Sequence, residues 1–397
     1  MDYLIEGFKE LEWQQPVMWL IGCILIYLAI KRDMEPMLLL PIGLGCILVN
    51  MPLTNVLTEA PSNAFLIGAF GDLAKEYSFA TQAVGGEGVI EWLFKVGIEA
   101  SEAMPILLFI GIGAMIDFGP LISNPKLMFM GAFAQLGIFI TVIFAVLVGF
   151  NLNDAASVGI IGAADGPTSI LVAQTIGAPE LLGPITIVAY SYMALVPIIQ
   201  PPVIKLVTTK KQRLMRMDDQ IIKPVPKVVK ILFPIVITII AGLIAPKSLA
   251  LVGFLMFGNL LRECGVLNQL SKTAQNELVN LITLLLGITI SFKMIGSQFL
   301  TIDTLKIVGL GLLAFIFDTI GGVLFADLMN LFSKKKINPM IGAAGISAFP
   351  MSARVVHKLG RKEDPTNYLL MHAVGVNVSG QVASAIVGGL IIALVLG

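Results

Sequence analysis

Residues Ile160–Gln174 read IIGAADGPTSILVAQ, and the question they raise is what a carboxylate, a proline and two hydroxyls are doing inside an apolar run. An unpaired charge at the centre of a bilayer costs from ~3 kcal/mol on insertion scales to ~10 kcal/mol or more in simulations, so such residues are usually functional or paired. Asp165 is therefore the first candidate for function, and the glycine and proline after it break the helix that would carry it across lipid. The letters GAA recur at Gly342, in NPMIGAAGISAFPMSAR.

The surrounding composition makes the membrane reading firm. The chain has 397 residues, 56% of them hydrophobic and only 13% charged, with a mean hydropathy of +0.90. That is too few charges to solvate a globular surface, so the fold class is an all-α polytopic membrane protein. The net charge is zero, and the short basic clusters form no stripe, which excludes nucleic acid as a partner and leaves lipid. Cys23, Cys46 and Cys264 lie in apolar runs without CxxC spacing, so neither a disulfide framework nor a zinc site is expected. The acidic N-terminus has no small-residue cleavage site and does not read as a cleaved signal peptide.

A helix needs about 20 residues to cross the hydrocarbon. Apolar runs of suitable length lie near 17–30, 37–53, 104–122, 127–150, 183–204, 229–245, 247–263, 278–296, 306–332 and 368–397. Two more, 155–176 and 338–351, are interrupted by Gly, Pro and polar residues and read as broken or re-entrant helices. Basic clusters at Lys31 and Arg32, from Lys205 to Lys230, at Lys334 to Lys336 and from Arg354 to Lys362 place those segments in the cytoplasm. The acidic loop 54–103 is expected outside. On that count the second interrupted segment enters and leaves from inside, and the first from outside.

An offset of 180 residues aligns Gly162, Ala163 and Ala164 with Gly342, Ala343 and Ala344, and Lys126 with Lys306. The two halves then run in opposite directions. Inverted-topology repeats whose broken helices meet near the membrane midplane are a common transporter architecture. The expected organisation is N-terminal spans and an outer loop over 1–98, a first repeat over 99–205, a basic loop with linking spans over 206–277, and a second repeat over 278–397.

Asp165 with Thr168 and Ser169 on one side, and Asn338, Gly342 and Ser347 on the other, supply one carboxylate and neutral oxygens, a set suited to sodium or a proton. Asn338 before Pro339 also reads as a helix N-cap. Asn377 and Ser379 either complete the cage or act as interhelical glue. Tyr190 and Tyr192 lie mid-span in VAYSYMALVPIIQPP and suit a cavity. Asp318 is a weaker site candidate, and Asp117 is expected at a cytoplasmic end. Arg354 could hold a carboxylate by paired hydrogen bonds. There is no Walker loop, HExxH, GxSxG or Rossmann fingerprint, nor the AMKM that accepts biotin. Energy must then come from a gradient or a partner.

The motifs GAADGPTSI, YSYMALVPIIQPP, NPMIGAAGISAFPMSARV and LLMHAVGVNVSG resemble the β subunit of the sodium-pumping biotin-dependent decarboxylases that act on oxaloacetate, glutaconyl-CoA, methylmalonyl-CoA or malonate. The resemblance runs from about Glu99 to the C-terminus. It implies a membrane subunit that decarboxylates carboxybiotin, moves sodium outward and consumes a proton. It also implies partner subunits: a biotin carrier, a carboxyltransferase and a small membrane subunit, with a homo-oligomer compatible. Carried over, it implies sodium binding or coupling by Asp165, Asn338, Ser347 and Asn377 with Gly342 shaping the site, Tyr192 close by, and Arg354 assisting the carboxybiotin step. The cofactors are then sodium and a carboxybiotin held by another chain. The rival reading is a sodium-coupled secondary carboxylate transporter.

Overall fold

The computed structural model describes residues 9, 11–32, 36–52, 56–57, 88–100, 102–217, 225–333 and 335–396. Most of the acidic 54–103 loop lies outside the described residues. Among those described there are helices and turns and no strand. Among the described residues six helices are long and apolar enough to cross a membrane, or up to eight if each of two sharply bent pairs is one span. The chain is thus a multi-pass membrane protein, and it divides into two compact units.

The first unit holds α1 (Gln14–Arg32) and α2 (Pro36–Val49), with the 3₁₀ turn Ser291–Met294. Gly22 and Gly43 let α1 and α2 approach backbone to backbone, the usual way that helices associate where lipid removes the hydrophobic drive. Asn50 closes the unit: its amide donates to Cys46 O and Met294 O, and its oxygen accepts from Gly296 N.

The second unit takes residues 105–282 and 301–397. Within it lie α3 (Ala103–Met115, from Pro105 on), α4 (Leu127–Phe133), α5 (Leu136–Leu147), α6 (Leu152–Gly159), α7 (Gly166–Ile176) and α8 (Pro179–Val207). Then come α9 (Lys227–Ile244), α10 (Leu249–Glu263), α11 (Ile302–Phe332), α12 (Met351–Glu363) and α13 (Leu370–Leu396). The run 127–150 reads as one span in the sequence, and Leu127–Leu147 is one of the six, with a two-residue turn at Ala134–Gln135 interrupting its helix. There Gln135 turns its side-chain amide onto Gly131 O and Gly345 O. The run 183–204 also differs from a straight span: α8 bends by 67° between Met193 and Leu195. Pro197 explains the bend, because its ring displaces the carbonyl of residue 193 and it has no N–H to bond it.

Both interrupted segments are real interruptions. The first is α6, a 3₁₀ turn Ile160–Ala163 and α7. The second is a 3₁₀ stretch Pro339–Gly345, an extended passage and α12. Their irregular backbone is buried, as it must be where lipid cannot satisfy peptide groups. A Cβ at Gly342 would sit 2.0 Å from Gly322 O on α11, and one at Gly380 on α13 would sit 2.0 Å from Gly345 O. Backbone-on-backbone contact therefore clamps the second segment on two sides.

On the polar edge of this unit, the loop 213–216 is pinned from several directions. Asn338 and Asn367 both donate to Arg213 O and Met215 O, and Arg213 pairs with Glu363 at 3.2 Å. The guanidinium of Arg216, 2.7 Å from Asp364, with the Thr366 N–H and hydroxyl, holds that carboxyl down at about 2. A depressed carboxylate stays ionised until the pH falls through that value, so this tie persists throughout the neutral range.

Candidate functional site

The site starts from a strained turn. The 3₁₀ stretch ends at Ala164 in the left-handed region, φ 51°, a conformation that costs a non-glycine residue about 1 kcal/mol or more. That turn swings Asp165 into the extended position that opens α7, with Pro167 in the first turn. Asp165 is 3% exposed. Its Oδ2 accepts from the hydroxyl of Thr168 at 2.6 Å, from Ser384 Oγ at 3.0 Å and from Gln381 Nε2 at 3.3 Å. The start of α7 adds the favourable end of its dipole to a negative charge.

Ser384 is the bridge to the other interruption. The hydroxyl of Ser347 lies 2.5 Å from Ser384 Oγ and 3.0 Å from Gly380 O, with one proton to give to either. The backbones also meet, since Ser347 N donates to Ala163 O at 3.1 Å. The two segments singled out by the repeated GAA are therefore neighbours, and Asp165 and Ser347 share one serine.

Three buried amides support the second segment from three different places. Gln200 on α8 donates to Ala343 O at 2.7 Å. Asn377 on α13 donates to Ala344 O at 3.1 Å and to Ile346 O at 2.7 Å, with Ser352 Oγ also close, at 3.3 Å. Gln135 takes Gly345 O. The carbonyl freed at each step of a 3₁₀ or extended stretch would otherwise be orphaned, at ~1–3 kcal/mol each. The amide oxygens of Gln135, Gln200 and Asn377 are themselves buried without a partner, leaving acceptors around a segment that carries no charge.

The other expected residues lie elsewhere. Asn338 caps the 3₁₀ stretch, its Oδ1 accepting from Met340 N, and its amide holds the 213–215 loop. Its side-chain bonds are those of a cap, and none of them runs to Asp165, Thr168, Ser347 or Ser384. Asn338→Ala is expected to lower the thermal unfolding midpoint by the equivalent of about 1 kcal/mol, with sodium affinity unchanged in a parallel titration. Gly342 shapes the segment through Gly322. Ser379 bonds Leu127 O and Val376 O and acts as glue.

Of the two tyrosines, Tyr190 is the one beside Asp165. A Cβ at Gly166 would fall 2.1 Å from its ring, and its buried hydroxyl has no partner. Tyr192 instead lies on Gly311 and gives its hydroxyl to Val308 O at 2.5 Å. Arg354, in the first turn of α12, is exposed, and no ion pair or side-chain hydrogen bond holds it among the described residues. Asp117 pairs with Lys230 at 3.4 Å, and Asp327 accepts from Gln212.

Sequence reasoning missed Ser384, Gln381, Gln200 and Gln135. A signal for the first two exists: 377, 381 and 384 fall at helical spacing, a polar stripe down one face of an otherwise apolar span.

Chemically the arrangement offers one buried carboxylate, three hydroxyls and backbone carbonyls, an all-oxygen set for a hard monovalent cation. Among the described residues no group of three His, Cys, Asp or Glu is placed to hold a metal as a resident cofactor.

Comparison with known proteins agrees. Residues 14–395 match the family described as Na⁺-transporting oxaloacetate decarboxylase beta subunit. The chain is 47% identical to methylmalonyl-CoA decarboxylase subunit beta of Propionigenium modestum, over 99% of this chain and 98% of that one. It is 46% identical to glutaconyl-CoA decarboxylase subunit beta of Acidaminococcus fermentans, over 98% and 95%. It is 43% identical to a probable oxaloacetate decarboxylase beta chain of Vibrio cholerae, over 98% of each. With buried oxygens gathered where two broken helices meet, and this likeness along nearly its whole length, the chain belongs to the sodium-transporting decarboxylase β-subunit family.

Proposed function

We propose that this chain decarboxylates carboxybiotin delivered by a partner subunit and uses the free energy released to move sodium outward, consuming one proton per carboxyl group. In that step the C–N bond of carboxybiotin breaks, carbon dioxide leaves, the bonding pair stays on nitrogen, and a proton takes the place of the carboxyl group. The observation that carries the reading is the bridge from Asp165 through Ser384 to Ser347. Sodium arriving there meets a charge and rotatable hydroxyls from both interruptions, so its binding favours the joined arrangement over a separated one.

The inverted relation of the two halves belongs to this proposal. Its support is the 180-residue offset and the contact of Ser347 N with Ala163 O. Such halves give alternating access by rocking about a fixed site. The acid that supplies the carboxyl group is selected by a carboxyltransferase on another chain. Three relatives 43–47% identical to this chain bear the names of three different substrates, which suits a subunit that sees only their shared product, carboxybiotin. A biotin carrier and a small membrane subunit complete the assembly.

Arg354 receives the carboxyl group of carboxybiotin, since an exposed guanidinium with no partner is ready for a carboxylate. Arg354→Ala is expected to cut decarboxylation about 10-fold or more while sodium affinity holds. Equal loss of both would mark a folding role.

The test is reconstitution of the complete complex in vesicles, supplied with carboxybiotin and ²²Na⁺. Sodium uptake into inverted vesicles driven by carboxybiotin is expected. Uptake driven by a carboxylate gradient, with none from carboxybiotin, would overturn the reading.

A further inference from the structure

A second carboxylate is buried in this unit and takes no part in the bridge. Asp318, midway along α11, is fully buried, and neither of its oxygens has a hydrogen-bond partner. A Cβ at Gly137 would lie 2.6 Å from its Oδ1, and a Cβ at Gly162 would lie 2.4 Å from its Oδ2. The carboxyl group is thus wedged between the start of α5 and the 3₁₀ turn of the first interruption. The Gly137 N–H faces it without meeting hydrogen-bond geometry, and the nearby Ile138 N–H is already given to Gln135 O at 3.2 Å. A side chain selected as a helix cap would bond at least the first of these.

Among the described residues no counter-charge reaches it. The elements packed closely on α11 are α4, α5, α6, α8 and the two 3₁₀ stretches. Neither α4, α5 nor either 3₁₀ stretch carries a titratable side chain. On α6, Asp154 accepts from Asn151 and Ala178 N. On α8, Tyr192 is bonded to Val308 O, Tyr190 lies on Gly166, and Glu180 and Lys205 are exposed at the ends. Asp165 is committed to Thr168, Gln381 and Ser384. On α11 itself, Asp303 pairs with Lys306, and Asp327 takes Gln212.

A bare carboxylate in such a place costs several kcal/mol. Sodium does not answer the problem, because hard cations need about six oxygens and the neighbours here are glycine, the Ala314 methyl and N–H groups. A proton does answer it. The coupling geometry is close at hand, since Asp318 presses on Gly162 and the same four-residue turn ends in the strained Ala164 that presents Asp165. The sodium carboxylate and the second carboxylate act on one turn.

We propose that Asp318 is a proton-carrying residue of the transport cycle, holding its proton while the first interruption is seated on α11 and releasing it when that turn shifts. The inference rests on the proton-consuming decarboxylation proposed above. The O–H bond breaks with its electron pair left on the carboxylate, the proton passes toward the biotin nitrogen, and a proton taken from bulk solvent reloads the carboxylate after turnover.

The experiment uses the complete complex in vesicles with Asp318→Asn, which keeps the shape of a protonated carboxyl but cannot release a proton. Turnover is expected to fall about 100-fold, with the wild-type pH dependence flattened and the sodium-induced thermal shift retained. A wild-type pH profile, or parallel loss of turnover and sodium binding, overturns the proposal. If that variant does not assemble, infrared spectra of the Asp165→Asn protein carrying ¹³C-aspartate decide. Among the described residues, Asp318 is then the one remaining fully buried acid. A protonated carboxyl signal that titrates is expected, and an ionised carboxylate at every pH overturns the proposal. Wild-type complex that lacks sodium-stimulated decarboxylation would count against the functional reading, and the infrared result would still decide the state of Asp318.

Discussion

Asp165→Asn abolishes sodium-stimulated decarboxylation while the protein still inserts and assembles. The substitution keeps the volume and the contact with Thr168, Gln381 and Ser384 but removes the one full charge in the oxygen set. A charged acceptor contributes ~1.5–3 kcal/mol over a neutral one, so sodium affinity should drop about 100-fold. Sodium titration of decarboxylation in the purified complex checks this, beside a size-exclusion profile that reports assembly. Wild-type sodium dependence in the variant would remove Asp165 from the site. Ser384→Ala makes a milder companion, because it cuts the bridge to Ser347 without touching the charge.

Gly342→Ala has the largest expected effect on stability. The added methyl would lie 2.0 Å from Gly322 O, and the approach is reciprocal, since a Cβ at Gly322 would lie 2.1 Å from Gly342 O. Both partners are backbone, so no side chain can swing away. Overpacking in a well-packed core costs ~1–3 kcal/mol and more where backbone must move. Separation of α11 from the second interruption would also pull Ser347 from Ser384. The expected result is a thermal midpoint lowered by several degrees together with lost activity; an unchanged melt would show that the clamp yields.

How much of this could be seen in the residues alone follows from what each signal measures. Hydropathy located the long spans, because crossing lipid demands a long apolar run, though it marked ten runs where the described residues hold six such helices, or up to eight with the bent pairs. The breaks at Gly166 and Gly342 were legible for a related reason, since glycine and proline cannot continue a helix that lipid otherwise enforces. Asp165 and Ser347 stood out by chemistry as polar groups inside apolar runs. Their meeting did not, because it depends on Ser384, and a lone serine in a span reads as glue. Tyr190 and Tyr192 are two positions apart, about 200° around a helix, so one faces Asp165 and the other faces α11. Which is which depends on how the first part of α8, Pro179–Met193, is rotated against α7 and α11. Asn338 carries the same ambiguity in another form, because an amide before Pro339 suits a cap and a ligand equally until the 213–215 loop is in place.

The pinning of that loop has a practical reach. Asn338 begins the second interruption and also grips Arg213 O and Met215 O, while Arg213 and Arg216 hold the end of α12. The loop and both ends of the segment are fastened as one lever. A fluorophore or spin label on the exposed Lys211 would read the motion of the buried turn from the aqueous side, without a reporter in the spans.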